Sequence, residues 1–106
     1  MCHADVGAPT IEWLWQIFMQ ASPKADESLL DLGRVDQRAL VRSLRVPAAV
    51  MRGDHDVIVP PDVATQCAAL LPEGRLIAFA ESGHAPFLDE REKYCAELLA
   101  FVNSVV

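Results

Sequence analysis

The chain has 106 residues, about half of them apolar, 7% aromatic, and a net charge of -6. That length fits one modest domain with a mainly aliphatic core, and the composition is not that of a disordered chain. The acid excess argues against a nucleic-acid partner, which would need clustered Lys and Arg: from Val46 onward nine acidic residues face four basic ones. No apolar run approaches the roughly 20 residues of a membrane span. Met1-Cys2-His3-Ala4-Asp5 lacks the basic-then-apolar pattern of a signal peptide, so a cytoplasmic location is expected and no membrane partner is. Cys2, Cys67 and Cys95 show no Cys-x-x-Cys spacing and read as reduced thiols; no spacing suggests a metal site.

In chain order, residues 10–21 predict a helix with Thr10 as N-cap after Pro9. Leu14, Ile17 and Phe18 form its stripe and Trp13 and Trp15 flank it. Being apolar nearly all round, this helix calls for cover. Ser22-Pro23 breaks the pattern; 26–32 reads as a short helix ending at Gly33. Asp36 to Leu44 predicts another, with Leu40, Val41 and Leu44 on one face.

From Val46 the pattern changes. Val46 to Met51 is short, apolar and uncharged, as a strand buried on both faces would be, with Pro47 at its start and Gly53 closing it. Pro60-Pro61 opens a helix to about Leu71, and Pro72-Glu73-Gly74 ends it. Arg75 to Ala80 predicts a second strand, and Leu88 to Val105 a long amphipathic helix. Strand, helix, strand, helix over about sixty residues describes a parallel βαβ unit with right-handed crossover plus a closing helix. The expected division is a helical part, 1–45, and an α/β part, 46–106.

Reactive groups in an open parallel sheet collect at the carboxyl ends of its strands. Two residues lie there: Asp56, just past the Gly that closes the first strand, and His84, in the Ser82-Gly83-His84 turn after the second. Parallel neighbours run about 4.8 Å apart, so loops on one edge can bring a carboxylate to an imidazole. The carboxylate would fix the tautomer and stabilise the imidazolium formed when the other ring nitrogen takes a proton. Asp54 competes for the acid role, and a lone loop Asp or turn His is more often structural than catalytic. His55 reads as a solvent-facing loop residue.

Gly53-x-x-Asp56-x-x-x-Pro60 after one strand, then Ser82-Gly83-His84-Ala85-Pro86-Phe87 after the next, resembles the C-terminal part of the α/β-hydrolase family; the matching stretch runs from about Arg45 to Val105. Gly83 to Leu88 is most similar to carboxylesterase-like members, among them the biotin-pathway esterases that demethylate a pimeloyl-carrier-protein ester. The resemblance implies Asp56 as triad acid and His84 as base, with Gly53, Pro60 and Gly83 shaping their loops. It implies that 1–45 occupies the place of a helical lid, so that Trp13, Trp15, Phe18 and Met19 could face an apolar acyl site, although simple helix-to-helix packing is the better explanation of them; Val57 is a further candidate for that pocket. It implies an apolar ester as substrate and no cofactor or metal. Dehalogenases, carbon–carbon hydrolases and cofactor-free haloperoxidases share the same half-fold.

One departure stands out. The family's nucleophile is the Ser of Gly-x-Ser-x-Gly. Ser22, Ser28, Ser43, Ser82 and Ser104 all lack those flanking glycines. The expected nucleophile would lie upstream of Met1, and Ser82 and Cys67 are the residues to examine as substitutes. A non-catalytic binding module is therefore a competing reading. A two-stranded parallel sheet is also expected to self-associate through its unpaired edge.

Overall fold

The computed structural model describes residues 2–20, 24 and 34–106. The predicted 26–32 helix and its Gly33 stop lie outside the described residues. Two compact units are present: Val6–Gln37, and Met1–Asp5 with Arg38–Val106. The second thus takes in the helix of the 36–44 region and the first few residues, which the expected boundary at 45 assigns to the helical part.

In the first unit, helix α1 spans Ala8–Met19. Its N-cap is Gly7 at φ 81°, a left-handed conformation that glycine adopts without strain. Thr10, expected to cap the helix, lies inside its first turn, because Pro9 without its N–H is accommodated there. A Gln16–Glu12 hydrogen bond of 2.9 Å, one turn apart, supports the exposed surface. No residue of α1 is buried.

The second unit holds the α/β elements. Helix α2 is Arg38–Ser43, strand β1 Ala48–Gly53, helix α3 Pro61–Leu70 and strand β2 Gly74–Phe79. A short α4, Pro86–Asp89, precedes α5, Arg91–Val105. Strands β1 and β2 pair in parallel, from Ala48 against Gly74 to Gly53 against Phe79. Helix α3 makes the crossover and packs on both strands, so the βαβ unit is as expected. Pro60 is its N-cap residue and Pro61 begins it, where a missing N–H removes no helical bond.

Two expectations need correction. Strand β1 is half-buried along Ala48–Arg52 and fully buried only at Gly53, not buried on both faces; among the described residues β2 is its one neighbour. The long closing helix is interrupted at Glu90, at φ -128° and ψ 54°. Apolar periodicity runs across that position and hides the break.

The core is small and lies where β2 ends. Phe79 and Ala85 are fully buried, as is Ser82. Tyr94 of α5 meets Phe79 and, edge-on, Phe87, at centroid distances of 6.1 and 6.0 Å. Lys93 lays its ammonium over the Phe79 ring at 4.9 Å and donates to the Ala78 carbonyl. The most tightly packed part of the unit is therefore the end of the sheet that carries the two candidate loops.

Candidate active site

Two successive loops leave the same sheet edge and are stitched together through their backbones. The Asp54 amide donates to the Phe79 carbonyl and the His55 amide to the Ser82 carbonyl, each at 2.9 Å. Gly53 permits this approach. A Cβ built there would lie 2.0 Å from the Gly83 carbonyl oxygen and 2.6 Å from that of Ser82. Any side chain at 53 would push the loops apart.

Asp56 sits in the first loop with both carboxylate oxygens engaged. Oδ1 accepts from the Ile58 and Val59 amides, each at 2.9 Å, which curls the chain toward Pro60. Oδ2 meets His84 Nδ1, also at 2.9 Å. The Asp56 side chain is 10% exposed and that of His84 38%. Burial pushes the Asp56 carboxyl upward, but the Val59 amide, the His84 imidazole and the Ile58 amide outweigh it and hold the group below its ordinary range. Asp56 is therefore a carboxylate at neutral pH. A carboxylate at Nδ1 favours the tautomer in which that nitrogen donates, and Nε2 is then the ring nitrogen left unengaged.

Asp54 is engaged elsewhere. It pairs with Arg52, accepting from Nε at 2.9 Å and Nη2 at 2.6 Å, and Arg52 also donates to the Thr65 hydroxyl. His55 is exposed, as expected, and stacks on His3. Gly83 does not have positive φ; the tight turn is made by tethering its amide to Asp89 at 2.8 Å.

That tether belongs to a feature that sequence reasoning missed. Asp89 and Glu90, at the helix break, fold back onto the turn ahead of His84. Asp89 also accepts from the amides of His3 and Ala4, at 2.9 and 3.1 Å. Glu90 accepts from the Glu81 amide at 3.0 Å and from the buried Ser82 hydroxyl at 2.5 Å. Ser82 is thus fully buried and committed to a carboxylate, which removes it as a substitute nucleophile. The only local signal was the Asp-Glu pair three residues beyond Pro86, and helical periodicity absorbed it.

Beside the Asp56–His84 pair opens a cleft of about 340 Å³. Val50, Met51, Val59, Val63, Ala64 and Cys67 supply most of its apolar wall, and Asp56, His84 and Pro86 complete one side. Cys67 is a free thiol on that wall. Val57 is not among the lining residues and is 85% exposed; the curl held by Asp56 Oδ1 turns Val59 to the cleft in its place. Trp13, Trp15 and Phe18 belong to the Val6–Gln37 unit, where all three are exposed.

A parallel βαβ unit carries a carboxylate and an imidazole paired above its strand ends, and comparison with known proteins places its fold. The family model for the alpha/beta hydrolase fold matches residues 14–91. The chain belongs to the α/β-hydrolase family. A pimeloyl-[acyl-carrier protein] methyl ester esterase of Vibrio parahaemolyticus is 33% identical over 97% of this chain and 44% of its own length. An AB hydrolase superfamily protein of Bacillus subtilis is 30% identical over 88% of the chain and 35% of its own. Among solved structures, an esterase from Exiguobacterium antarcticum superposes with a TM-score of 0.83 at 31% identity, covering 90% of this chain and 36% of that one. The chain spans less than half the length of these relatives. The family match gives the alpha/beta hydrolase fold, and esterases are found among both the sequence relatives and the solved structures it resembles.

Proposed function

We propose that this chain supplies the acid and base of a serine-type hydrolase acting on an apolar carboxylic ester. The observation that carries the reading is the 2.9 Å contact between Asp56 Oδ2 and His84 Nδ1 beside an apolar cleft. His84 Nε2 would take the proton of an attacking hydroxyl and return it to the leaving alcohol, while Asp56 holds the ring and stabilises the imidazolium between those steps. The attacking hydroxyl would come from a Gly-x-Ser-x-Gly segment outside this sequence, and an acyl chain would lie along Val59, Val63 and Cys67. A lid role for the helical part that carries Trp13, Trp15 and Phe18 is part of the same proposal.

The test is complementation. The chain is co-expressed with the upstream portion of an esterase relative and assayed on short-chain nitrophenyl esters. Hydrolysis by the reconstituted protein, lost by at least about a thousandfold in His84→Ala, is the expected result. A stable complex without activity, or activity indifferent to His84, would refute it. A second reading, a non-catalytic module that binds a small apolar ligand, is favoured by the absence of Gly-x-Ser-x-Gly from the chain. It predicts saturable binding of a fatty acyl ester to the chain alone, weakened by Val63→Asp. In either reading β1 has one edge unpaired among the described residues, and concentration-dependent self-association in light scattering is expected of the chain by itself.

A further inference from the structure

On the exposed side of the same stitched loops lies a cluster that the cleft does not use. The His3 and His55 rings stack at 3.8 Å with an interplanar angle of 7°. Glu81 joins them, and one ligand-type atom of each of the three residues lies within 4.8 Å of the others. All three are exposed. None lines the Asp56–His84 cleft.

What distinguishes this cluster from chance surface neighbours is how its backbones are held. The His3 amide is fixed by Asp89 at 2.9 Å, the His55 amide by the Ser82 carbonyl at 2.9 Å, and the Glu81 amide by Glu90 at 3.0 Å. Residues remote in sequence are thus tied to one short turn, with their side chains left unspent on one side of it. Two imidazole nitrogens and a carboxylate oxygen form a donor set that suits zinc and other borderline divalent metals, with bonds of about 2.0–2.2 Å. Such bonds require donor–donor separations of roughly 3–3.5 Å in a tetrahedral arrangement. The present separations reach up to 4.8 Å, about 1.5 Å more, which rotation of exposed side chains supplies as the stacked rings splay around an ion.

We infer that His3, His55 and Glu81 form a binding site for a divalent transition metal of the zinc class, with the remaining coordination positions open to water. An ion there ties together the N-terminal segment, the loop carrying Asp56 and the turn carrying His84. Its role is to restrain the two loops from outside the cleft. The inference does not depend on the esterase reading, because it concerns groups that do not line the Asp56–His84 cleft. Sequence spacing could not reveal it, since each ligand comes from a different segment.

Titration of the full chain with cobalt(II), followed by its visible absorption, tests the site, with zinc(II) as competitor. The expected result is one saturable equivalent displaced by zinc. Affinity should fall at least about tenfold in each of His3→Gln, His55→Gln and Glu81→Gln, a change of about 1.4 kcal/mol or more, and be unchanged in Cys2→Ser and His84→Gln. Zinc should raise the melting temperature of the wild type and not of the three ligand variants. Binding that survives all three substitutions, that disappears instead in Cys2→Ser or His84→Gln, or that is weak and non-stoichiometric would overturn the assignment. Melts without metal verify that each variant is folded; should one fail, the other two decide.

Discussion

The Val6–Gln37 unit and the α/β unit use similar apolar content to opposite effect. Helix α1 carries Ile11, Trp13, Trp15, Ile17, Phe18 and Met19, and all of these are exposed. The α/β unit buries few side chains completely, yet it concentrates Phe79, Ser82 and Ala85 at the strand ends and adds a lattice of backbone and carboxylate hydrogen bonds. The lesson is that hydrophobicity alone does not say where order is built. In this molecule order follows the closely spaced turns that bring Asp56 to His84, and substitutions should divide along the same line.

The largest effect is expected at Gly53. A methyl group there meets backbone carbonyls, which cannot rotate away as a side chain would. Gly53→Ala should destabilise the chain by about 3 kcal/mol or more, at the high end of overpacking effects. A urea melt followed by far-UV circular dichroism checks it, and a loss below 1 kcal/mol would mean that the two loops separate easily. Next comes Glu90→Ala. It leaves the fully buried Ser82 hydroxyl and the Glu81 amide without their carboxylate acceptor, and should cost about 2 kcal/mol. The double variant Ser82→Ala/Glu90→Ala should recover part of that loss, because it removes the orphaned hydroxyl as well.

Those two sites also mark what could and could not be read from the chain. Gly53 and Pro60 punctuate a strand and a helix whose residue types agree with their structure, so the βαβ unit and the convergence of Asp56 with His84 were legible before any coordinates. Asp54 was a true rival; in the structure it lies against Arg52, while Asp56 is the one that meets His84. Asp89 and Glu90 were not legible. Their hydrogen bonds run back to residues 81–83, and an i, i+3, i+4 apolar pattern continues on either side of them. Val57 and Val59 illustrate a finer limit: both are apolar residues of one loop, and a carboxylate accepting two amides determines which of them faces the cleft.

A smaller effect is expected from pH. The Asp56 carboxyl is held below its ordinary range in the folded chain. A group with a depressed folded pKa stabilises the fold fully above its unfolded value, about 3.9, and loses that contribution as pH falls through the folded value. The stability difference between wild type and Asp56→Asn should therefore shrink as pH is lowered from about 5 to below 4, since the amide does not titrate there. Urea melts at closely spaced pH values test this. A difference that stays constant across that interval would show that the Val59, Ile58 and His84 contacts do not favour the ionised form.

The smallest effect belongs to α1. Trp15 is 62% exposed and no residue of the helix is buried, so Trp15→Ala removes little packing. Its effect on the stability of the chain should stay within about 0.5 kcal/mol, as for surface positions without a special role. The same substitution in the protein reconstituted with an upstream esterase portion sharpens the contrast. If α1 serves as a lid over an acyl group, Trp15→Ala should raise KM for longer acyl esters more than for acetate while leaving kcat on acetate nearly unchanged. Equal effects on short and long esters would assign the tryptophan to helix packing and leave the acyl chain to the wall formed by Val59, Val63 and Cys67.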